Sequence, residues 1–205
     1  MDKNDIKSKL MAAVGQILET EGHCRINADH IAEVAGVNVE DISTSFGDLE
    51  NLLELYMVSE DYWIKLVRPI YEVVSGNGKL KLEDLIGFFL KKQYNNLSGS
   101  AAMRSLIRWG IAEKHPLMGK IGKEREKAGE EVFLQTDRLF EGTGVNFRAI
   151  SALNVAAIYY LALYGSTGNS KFCGIDLATE EGKKEILNSI KQINRWVFDS
   201  IGHRK

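Results

Sequence analysis

Apolar side chains recur along the chain with a period of about 3.6 residues, which is the repeat of an α-helix. Four short segments of this kind occupy the N-terminal part, and the first ends at Gly22, where a C-cap glycine is expected. Asn27, Asn38 and Asp48 each precede an apolar segment, so they are predicted to cap the second, third and fourth helices. The fourth helix is predicted to continue to Pro69 without a break.

The second and third helices are separated only by Ala35-Gly36-Val37-Asn38. A tight, glycine-containing turn between two short helices is the pattern of a helix-turn-helix motif. The sequence therefore predicts such a motif near the N-terminus.

The rest of the chain is also predicted to be helical, after a linker at Ser75-Gly76-Asn77-Gly78. No alternating strand pattern of useful length is present, so the sequence predicts an all-α fold. The expected helices follow one another as Leu82–Leu90, Met103–Ile111, about 117–140, about 146–165 and about 179–201.

The amino-acid composition is consistent with an all-α fold and indicates no special class of protein. The chain has 205 residues, 44% of them apolar and 26% charged, as in an ordinary globular protein. Its two cysteines, Cys24 and Cys173, suit a reducing compartment better than a disulfide framework. The N-terminal segment is too polar for a signal peptide, and no uninterrupted apolar run has the length of a membrane span. We therefore expect a cytoplasmic protein without a membrane partner.

Charge is distributed unevenly along the chain. Residues 1–57 contain four basic and eleven acidic residues, a net charge of −7, whereas the remainder carries +5. No Lys or Arg occurs from Ile26 to Ile64. This is opposite to the usual pattern of a nucleic-acid-binding module, which is basic.

The N-terminal pattern resembles the DNA-binding module of tetracycline-repressor (TetR) family regulators. The resemblance rests on Ile31-Ala32, on Ala35-Gly36-Val37, on Asn38 in the place of a capping serine, and on Phe46 closing the recognition helix. It implies a TetR-like all-α fold, with a helix-turn-helix module at 1–57 and a ligand-binding and dimerisation domain at 58–205. It also implies a homodimer that binds operator DNA and releases it when a small-molecule effector binds.

The recognition helix departs from the family where DNA would be touched. Ser43, Thr44 and Ser45 replace the usual aromatic and histidine side chains, and Leu49 stands where the family has lysine. Hydroxyls, backbone amides at the helix start and a basic N-terminal arm still offer polar contacts to DNA. The candidate DNA-binding residues are Lys3, Lys7, Asn27, Ala28, Asn38, Val39, Ser43, Thr44 and Ser45.

Aromatic residues are frequent in the larger domain, which is typical either of an apolar ligand pocket or of an ordinary bundle core. Arg104 and Arg108 lie one helical turn apart and either clamp an anionic ligand or pair with surface acids. The candidate pocket residues are Tyr62, Trp63, Phe89, Arg104, Arg108, Trp109 and Tyr160.

Small side chains dominate the helix that follows Asn146, and small residues allow close contact between helices. Together with the last helix they suit a dimer interface, the alternative being packing inside one chain. The candidate interface residues are Ala152, Ala156, Tyr159, Ile190, Trp196 and Val197.

No catalytic motif or phosphate-binding loop is recognisable, so we expect neither an enzyme nor a bound cofactor. The adjacent His23 and Cys24 are a weak metal signal by themselves, and no metal site is predicted. The sequence favours a ligand-responsive transcriptional repressor of TetR type. Two alternatives stay open: a TetR-derived dimer that binds a ligand or protein and has lost DNA recognition, and a structural dimer without a ligand.

Overall fold

The computed structural model describes residues 2–65, 81–168 and 170–203. The predicted linker at 75–78 and the predicted helix beyond residue 65 lie outside these ranges. Regular structure within them is almost entirely α-helical, which confirms the all-α prediction. The α-helices are α1 (Lys3–Thr20), α2 (Ala28–Ala35), α3 (Glu40–Phe46), α4 (Leu49–Glu60), α5 (Leu82–Gly99), α6 (Ala101–Ala112), α7 (Pro116–Phe140), α8 (Phe147–Tyr164) and α9 (Glu180–Asp199).

The chain divides into two compact units. The first unit contains Met1–Lys65 and Gly99–Arg125, and the second unit contains Leu66–Ser98 and Glu126–Lys205. The division of function at residue 57 stays a prediction.

The first unit is built around α1. Its buried face, which includes Leu10, Val14 and Ile17, packs against α2, α3, α4 and α6. Ile31 of α2 is fully buried, Ile42 of α3 is nearly so, and both are apolar positions that the sequence places inward. This core fixes the orientation of α2 and α3 relative to α1.

Helix α4 ends earlier than the sequence predicts. It stops at Glu60, and Asp61 adopts an extended conformation before a new helical segment at residues 62–65. The buried Asp61 carboxylate accepts hydrogen bonds from the backbone N–H groups of Trp63 and Ile64, at 2.9 and 3.2 Å. The prediction of one continuous helix is therefore wrong, because Asp61 caps the following segment instead of extending α4.

The second unit has an apolar core contributed by α5, α7, α8 and α9. Phe140, Phe147 and Phe198 form a ring cluster with centroid separations of 5.0 to 5.5 Å. Helices α8 and α9 begin at the side-chain caps Asn146 and Thr179, in agreement with the predicted starts. In the first unit, Ile111, an apolar residue at the end of the predicted helix Met103–Ile111, is 70% exposed.

A two-stranded hairpin between α8 and α9 was not predicted. Strands β1 (Lys171–Phe172) and β2 (Ile175–Asp176) pair antiparallel across Cys173 and Gly174, which both have positive φ, at 50° and 83°. Two positive-φ residues between paired strands are typical of the tight hairpin turn. Strands of two residues are too short to produce a recognisable alternation in sequence.

Candidate functional site

The predicted helix-turn-helix is present in the first unit. Asn27 caps α2 by accepting a hydrogen bond from the backbone N–H of His30 at 3.0 Å. Gly36 ends α2 in the left-handed conformation, with φ 65° and ψ 40°. The N–H groups of Gly36 and Val37 bond back to the carbonyls of Glu33 and Ala32, both at 3.1 Å. This is the Schellman arrangement, in which glycine avoids the steric cost of positive φ.

The start of α3 differs in detail from the prediction. Asn38 does not cap the helix with its side chain; its backbone N–H instead donates to the Asp41 carboxylate at 3.0 Å. Val39 stands at the N-cap position with helical angles and a partly exposed side chain. The Asp41 backbone N–H, which a capping Asn38 side chain would bind, donates instead to the backbone carbonyl of Asn38 at 3.0 Å.

The hydroxyls of the recognition helix are already engaged. Ser43 and Thr44 donate to the backbone carbonyl of Glu40, at 2.8 and 2.9 Å. Both side chains are exposed, whereas Ser45 is half-buried. Their oxygens stay free to accept from a base edge, but donating to a phosphate requires breaking a bond within α3.

One cation lies near the end of the recognition helix. The Lys7 ammonium of α1 sits over the Phe46 ring, 5.6 Å from its centroid. Lys3 is exposed at the start of α1, and Lys9 pairs with Asp5 at 3.4 Å. The other candidate residues of α2 are Asn27, whose side-chain amide also donates to the Arg25 carbonyl, and the half-buried Ala28.

A polar contact ties the end of α1 to α2. His30 Nε2 lies 2.9 Å from Glu21 Oε1, and His30 Nδ1 lies 3.3 Å from Glu33 Oε2. The hydrogen bond with Glu21, followed by that with Glu33, raises the pKa of His30 above its ordinary value of 6.5. The same contact with His30 lowers the pKa of Glu21 below 4.5.

Replacing His30 with glutamine is expected to remove a pH-dependent part of the stability. The contacts that raise the His30 pKa contribute fully to the stability of the folded state below pH 6.5. This contribution is lost as pH rises through the raised pKa. The contact that lowers the Glu21 pKa contributes fully to the stability of the folded state above pH 4.5. This contribution is lost as pH falls through the lowered pKa. The stability difference between the wild type and His30→Gln in urea unfolding should therefore be largest from pH 4.5 to 6.5. A difference that is constant with pH would contradict it.

A groove of about 690 Å³ lies between α5 and α9 in the second unit. Four lysines and three acidic residues contribute to it, together with the aromatic ring of Phe88 and the side chain of Asn194; the acidic residues are Glu83, Asp84 and Glu180. Asn194 is 2% exposed and donates to the Ile190 carbonyl at 3.0 Å, while its Oδ1 has no hydrogen-bond partner in the described structure. An unpartnered buried acceptor is costly, so it favours a ligand that brings an N–H or O–H group. The lysines are Lys91, Lys183, Lys184 and Lys191.

The predicted pocket residues are distributed over both units, and the described lining of the groove includes none of them. In the first unit Tyr62 and Trp109 are buried, Trp63 and Arg104 are half-buried, and Arg108 is exposed. Burial, and secondarily the charge of Arg108, lowers the pKa of Arg104. In the second unit Phe89 is buried in the core, whereas Tyr160 is exposed and stacks on Tyr164. Their role in ligand binding stays a prediction.

One face of α8 is apolar and exposed. Leu153 is 71% exposed, and the exposed positions on either side of it repeat at three- and four-residue spacing. We call this set the α8 stripe. Its members are Ala149, Ala152, Leu153, Ala156, Ala157 and Tyr160.

Of the other predicted interface residues, Trp196 of α9 is 64% exposed. Tyr159 and Val197 are half-buried, and Ile190 is buried within the chain. Ile193, one turn before Trp196, is also exposed, so α9 adds apolar surface of its own.

Helix α8 is long and apolar enough to cross a membrane by length and composition alone, with a mean hydropathy of 1.3. Arg148 and Asn154 interrupt its apolar residues, so the sequence shows no uninterrupted apolar run there. One such helix is weak evidence for a membrane span. Arg148 pairs with Glu130 at 3.0 Å and with Asp137 at 2.7 Å, so the first turn of α8 is held by ionic contacts to α7.

The fold is shared with solved transcriptional regulators. The fatty acid degradation regulator FadR from Bacillus halodurans matches with a TM-score of 0.66 and 13% identity, over 92% of this chain and 94% of that chain. FadR from Bacillus subtilis, solved in complex with stearoyl-CoA, matches with a TM-score of 0.66 and 14% identity, over 91% and 96%. The chain therefore has the TetR-like all-α fold of these regulators. No protein-family model and no curated protein matches the sequence.

Proposed function

We propose that this protein is a ligand-responsive transcriptional repressor that binds operator DNA as a homodimer. The observation that carries the proposal is the helix-turn-helix geometry, with its Schellman turn at Gly36, at the N-terminal end of a TetR-like fold. The module at 1–57 reads DNA in this proposal, and 58–205 binds the effector and dimerises. The protein is proposed to be a cytoplasmic regulator and not an enzyme.

The DNA interface consists of the exposed N-terminal part of α3, the start of α2 and the arm of α1. Its acidic character limits affinity, because DNA binding draws most of its strength from neutralised phosphates. Lys3 and Lys7 supply the cations, and the backbone at Val39 and the oxygens of Ser43 and Thr44 supply neutral contacts. We expect a weak, short-range interface that depends less on salt than that of a basic module.

The effector is proposed to be anionic. Four lysines line the groove of the second unit against three acidic residues, one of which, Glu180, already pairs with Lys183 at 2.6 Å. The groove therefore keeps a small excess of positive charge, and the stearoyl-CoA bound by the Bacillus subtilis regulator is a negatively charged molecule with a long apolar chain. A ligand of this class would meet the lysines with its phosphates and Asn194 Oδ1 with a donor group. It shifts the protein between two states only as far as its affinities for those states differ.

Dimerisation is proposed to use the α8 stripe and the exposed end of α9. An exposed apolar face of this length is typical of a surface that another protein covers. The ionic contacts of Arg148 at its first turn favour this role over a membrane span.

The DNA interface predicts opposite effects for two kinds of substitution. Glu40→Gln should strengthen binding to DNA upstream of the protein's own gene by about fivefold, since a like-charge contact costs about 1 kcal/mol in water. Lys7→Ala should weaken it and reduce the slope of log affinity against log salt by about one. Fluorescence anisotropy over a salt series measures both. Lys127→Ala, an exposed lysine of α7, is the matched control and should change neither.

A second candidate function follows from the charge of the same module. A dimer that has lost DNA recognition would present this acidic surface to a protein partner and still bind its effector. The test is binding of the upstream DNA at low salt, under conditions where a TetR-family repressor binds its own operator. If this protein does not bind, the result favours the alternative over a DNA-binding repressor. Effector binding alone does not distinguish the two.

A further inference from the structure

Three side chains of metal-ligand type meet in the first unit. His23 and Cys24 belong to the short 3₁₀-helix His23–Arg25 that follows α1, and Glu113 follows the last residue of α6. His23 Nε2 lies 3.5 Å from Cys24 Sγ and 3.4 Å from Glu113 Oε1. The three ligand atoms all lie within 4.8 Å of one another.

The two distances from His23 Nε2 are those of neighbouring donors around a tetrahedral metal ion. Zinc bonds of about 2.0–2.1 Å to nitrogen or oxygen and about 2.3 Å to sulfur place adjacent donors about 3.3–3.6 Å apart. Both contacts converge on the same ring nitrogen, which has at most one proton to donate. A cation between the three groups satisfies all of them at once, whereas a hydrogen bond satisfies only one pair well.

The surroundings orient two of the three ligands. The Trp109 indole N–H donates to Glu113 Oε2 at 3.1 Å, which leaves Oε1 directed at His23. The His23 ring stacks on Trp109 at 5.6 Å with an interplanar angle of 15°. A hydrogen bond that holds a ligating carboxylate in place is typical of metal sites. The stacking on Trp109 also restricts the orientation of the imidazole ring.

We propose that His23, Cys24 and Glu113 bind one divalent transition metal ion, with zinc as the preferred ion and water in the fourth position. Binding converts the Cys24 thiol to a thiolate and releases its proton to solvent, so that the thiolate and the Glu113 carboxylate balance the charge of the ion. A nitrogen, sulfur and oxygen set excludes magnesium and calcium, which require oxygen ligands.

The ion would join the segment before α2 to the end of α6. The carbonyl of Arg25, next to Cys24, accepts the side-chain hydrogen bond of the α2 cap Asn27. A bound ion therefore holds the backbone from which α2 begins. Because it binds only the folded chain tightly, it should also raise the unfolding midpoint, by an amount that grows with the logarithm of its concentration above the dissociation constant.

Cobalt titration of the full chain tests the site directly. The wild type should develop a thiolate-to-cobalt absorption band that saturates at one ion per chain and disappears when zinc is added. Cys24→Ser should abolish the band, and His23→Ala and Glu113→Gln should each weaken cobalt binding by about tenfold or more. Cys173→Ser, which removes the other exposed cysteine, should leave the band unchanged.

Alkylation of the unmodified chain provides a test that no folding defect can disturb. Zinc should slow the reaction of a maleimide with Cys24 and leave Cys173 unaffected, as measured by peptide mass spectrometry. Absence of the band in the wild type, its loss in Cys173→Ser, or equal maleimide rates at Cys24 with and without zinc would each overturn the proposal.

Discussion

In the proposed homodimer, replacing Leu153 with aspartate is expected to separate the two chains into monomers. Leu153 lies in the middle of the α8 stripe and is 71% exposed in the single chain. In a twofold interface each substitution occurs twice, and each buried, unpaired carboxylate costs several kcal/mol. We expect the dimer to weaken by about a thousandfold or more, as measured by sedimentation velocity over a range of protein concentrations.

Ile111→Asp is the matched control for this substitution. Ile111 is 70% exposed and lies on α6 of the first unit, whereas the α8 stripe belongs to the second unit. The same apolar-to-acidic change there should leave the dimer intact. Dissociation by both variants, or by neither, would contradict an interface on α8, and circular dichroism shows whether each variant is folded.

Removal of the Arg125 charge is expected to have the largest effect on stability. The Arg125 guanidinium contacts the Asp61 carboxylate at 2.6 Å, and Asp61 is only 2% exposed. Arg125→Met keeps the length of the side chain but leaves a buried carboxylate without its partner. Breaking a buried pair in this way costs about 3 kcal/mol of unfolding free energy, as measured by urea denaturation.

Lys65→Met is the comparison for a surface pair. Lys65 and Glu60 lie 3.5 Å apart, and both side chains are about half exposed, so the loss should stay below about 1 kcal/mol. The double variant Asp61→Asn with Arg125→Met should recover part of the loss, because it removes the buried charge as well. Equal losses for Arg125→Met and Lys65→Met would show that Asp61 does not need its partner.

Local signals in the sequence predicted most of the helix-turn-helix geometry. Asn27 and Gly36 act on backbone groups within a few residues of themselves, so their roles could be read from spacing alone. Asn38 was assigned incorrectly as a side-chain cap, because the Asp41 N–H donates to its backbone carbonyl and residue spacing does not show that choice. The end of α4 before Asp61 was also not predicted, because the partner of Asp61, Arg125, lies 64 residues away and the apolar period continues past Asp61.

Contacts between distant segments explain what the sequence could not predict about the sites. The groove of the second unit forms only when α5 meets α9. In the sequence its lysines look the same as lysines on a solvent-exposed helix face. The pair His23-Cys24 was a weak signal because Glu113 is far away in the chain, at the end of α6. The residues of the predicted aromatic pocket belong to two different units, and their role in ligand binding stays a prediction.

The alanines of the α8 stripe also bear on which chains can pair with one another. Alanine has no side-chain rotamer to immobilise, and two helices approach closely only where both faces are small. A related regulator with leucine or phenylalanine at the positions of Ala152 and Ala156 would hold the two helices apart. Mixed dimers between paralogues in the same cell would thus be excluded by size alone, without any charged residue dedicated to discrimination.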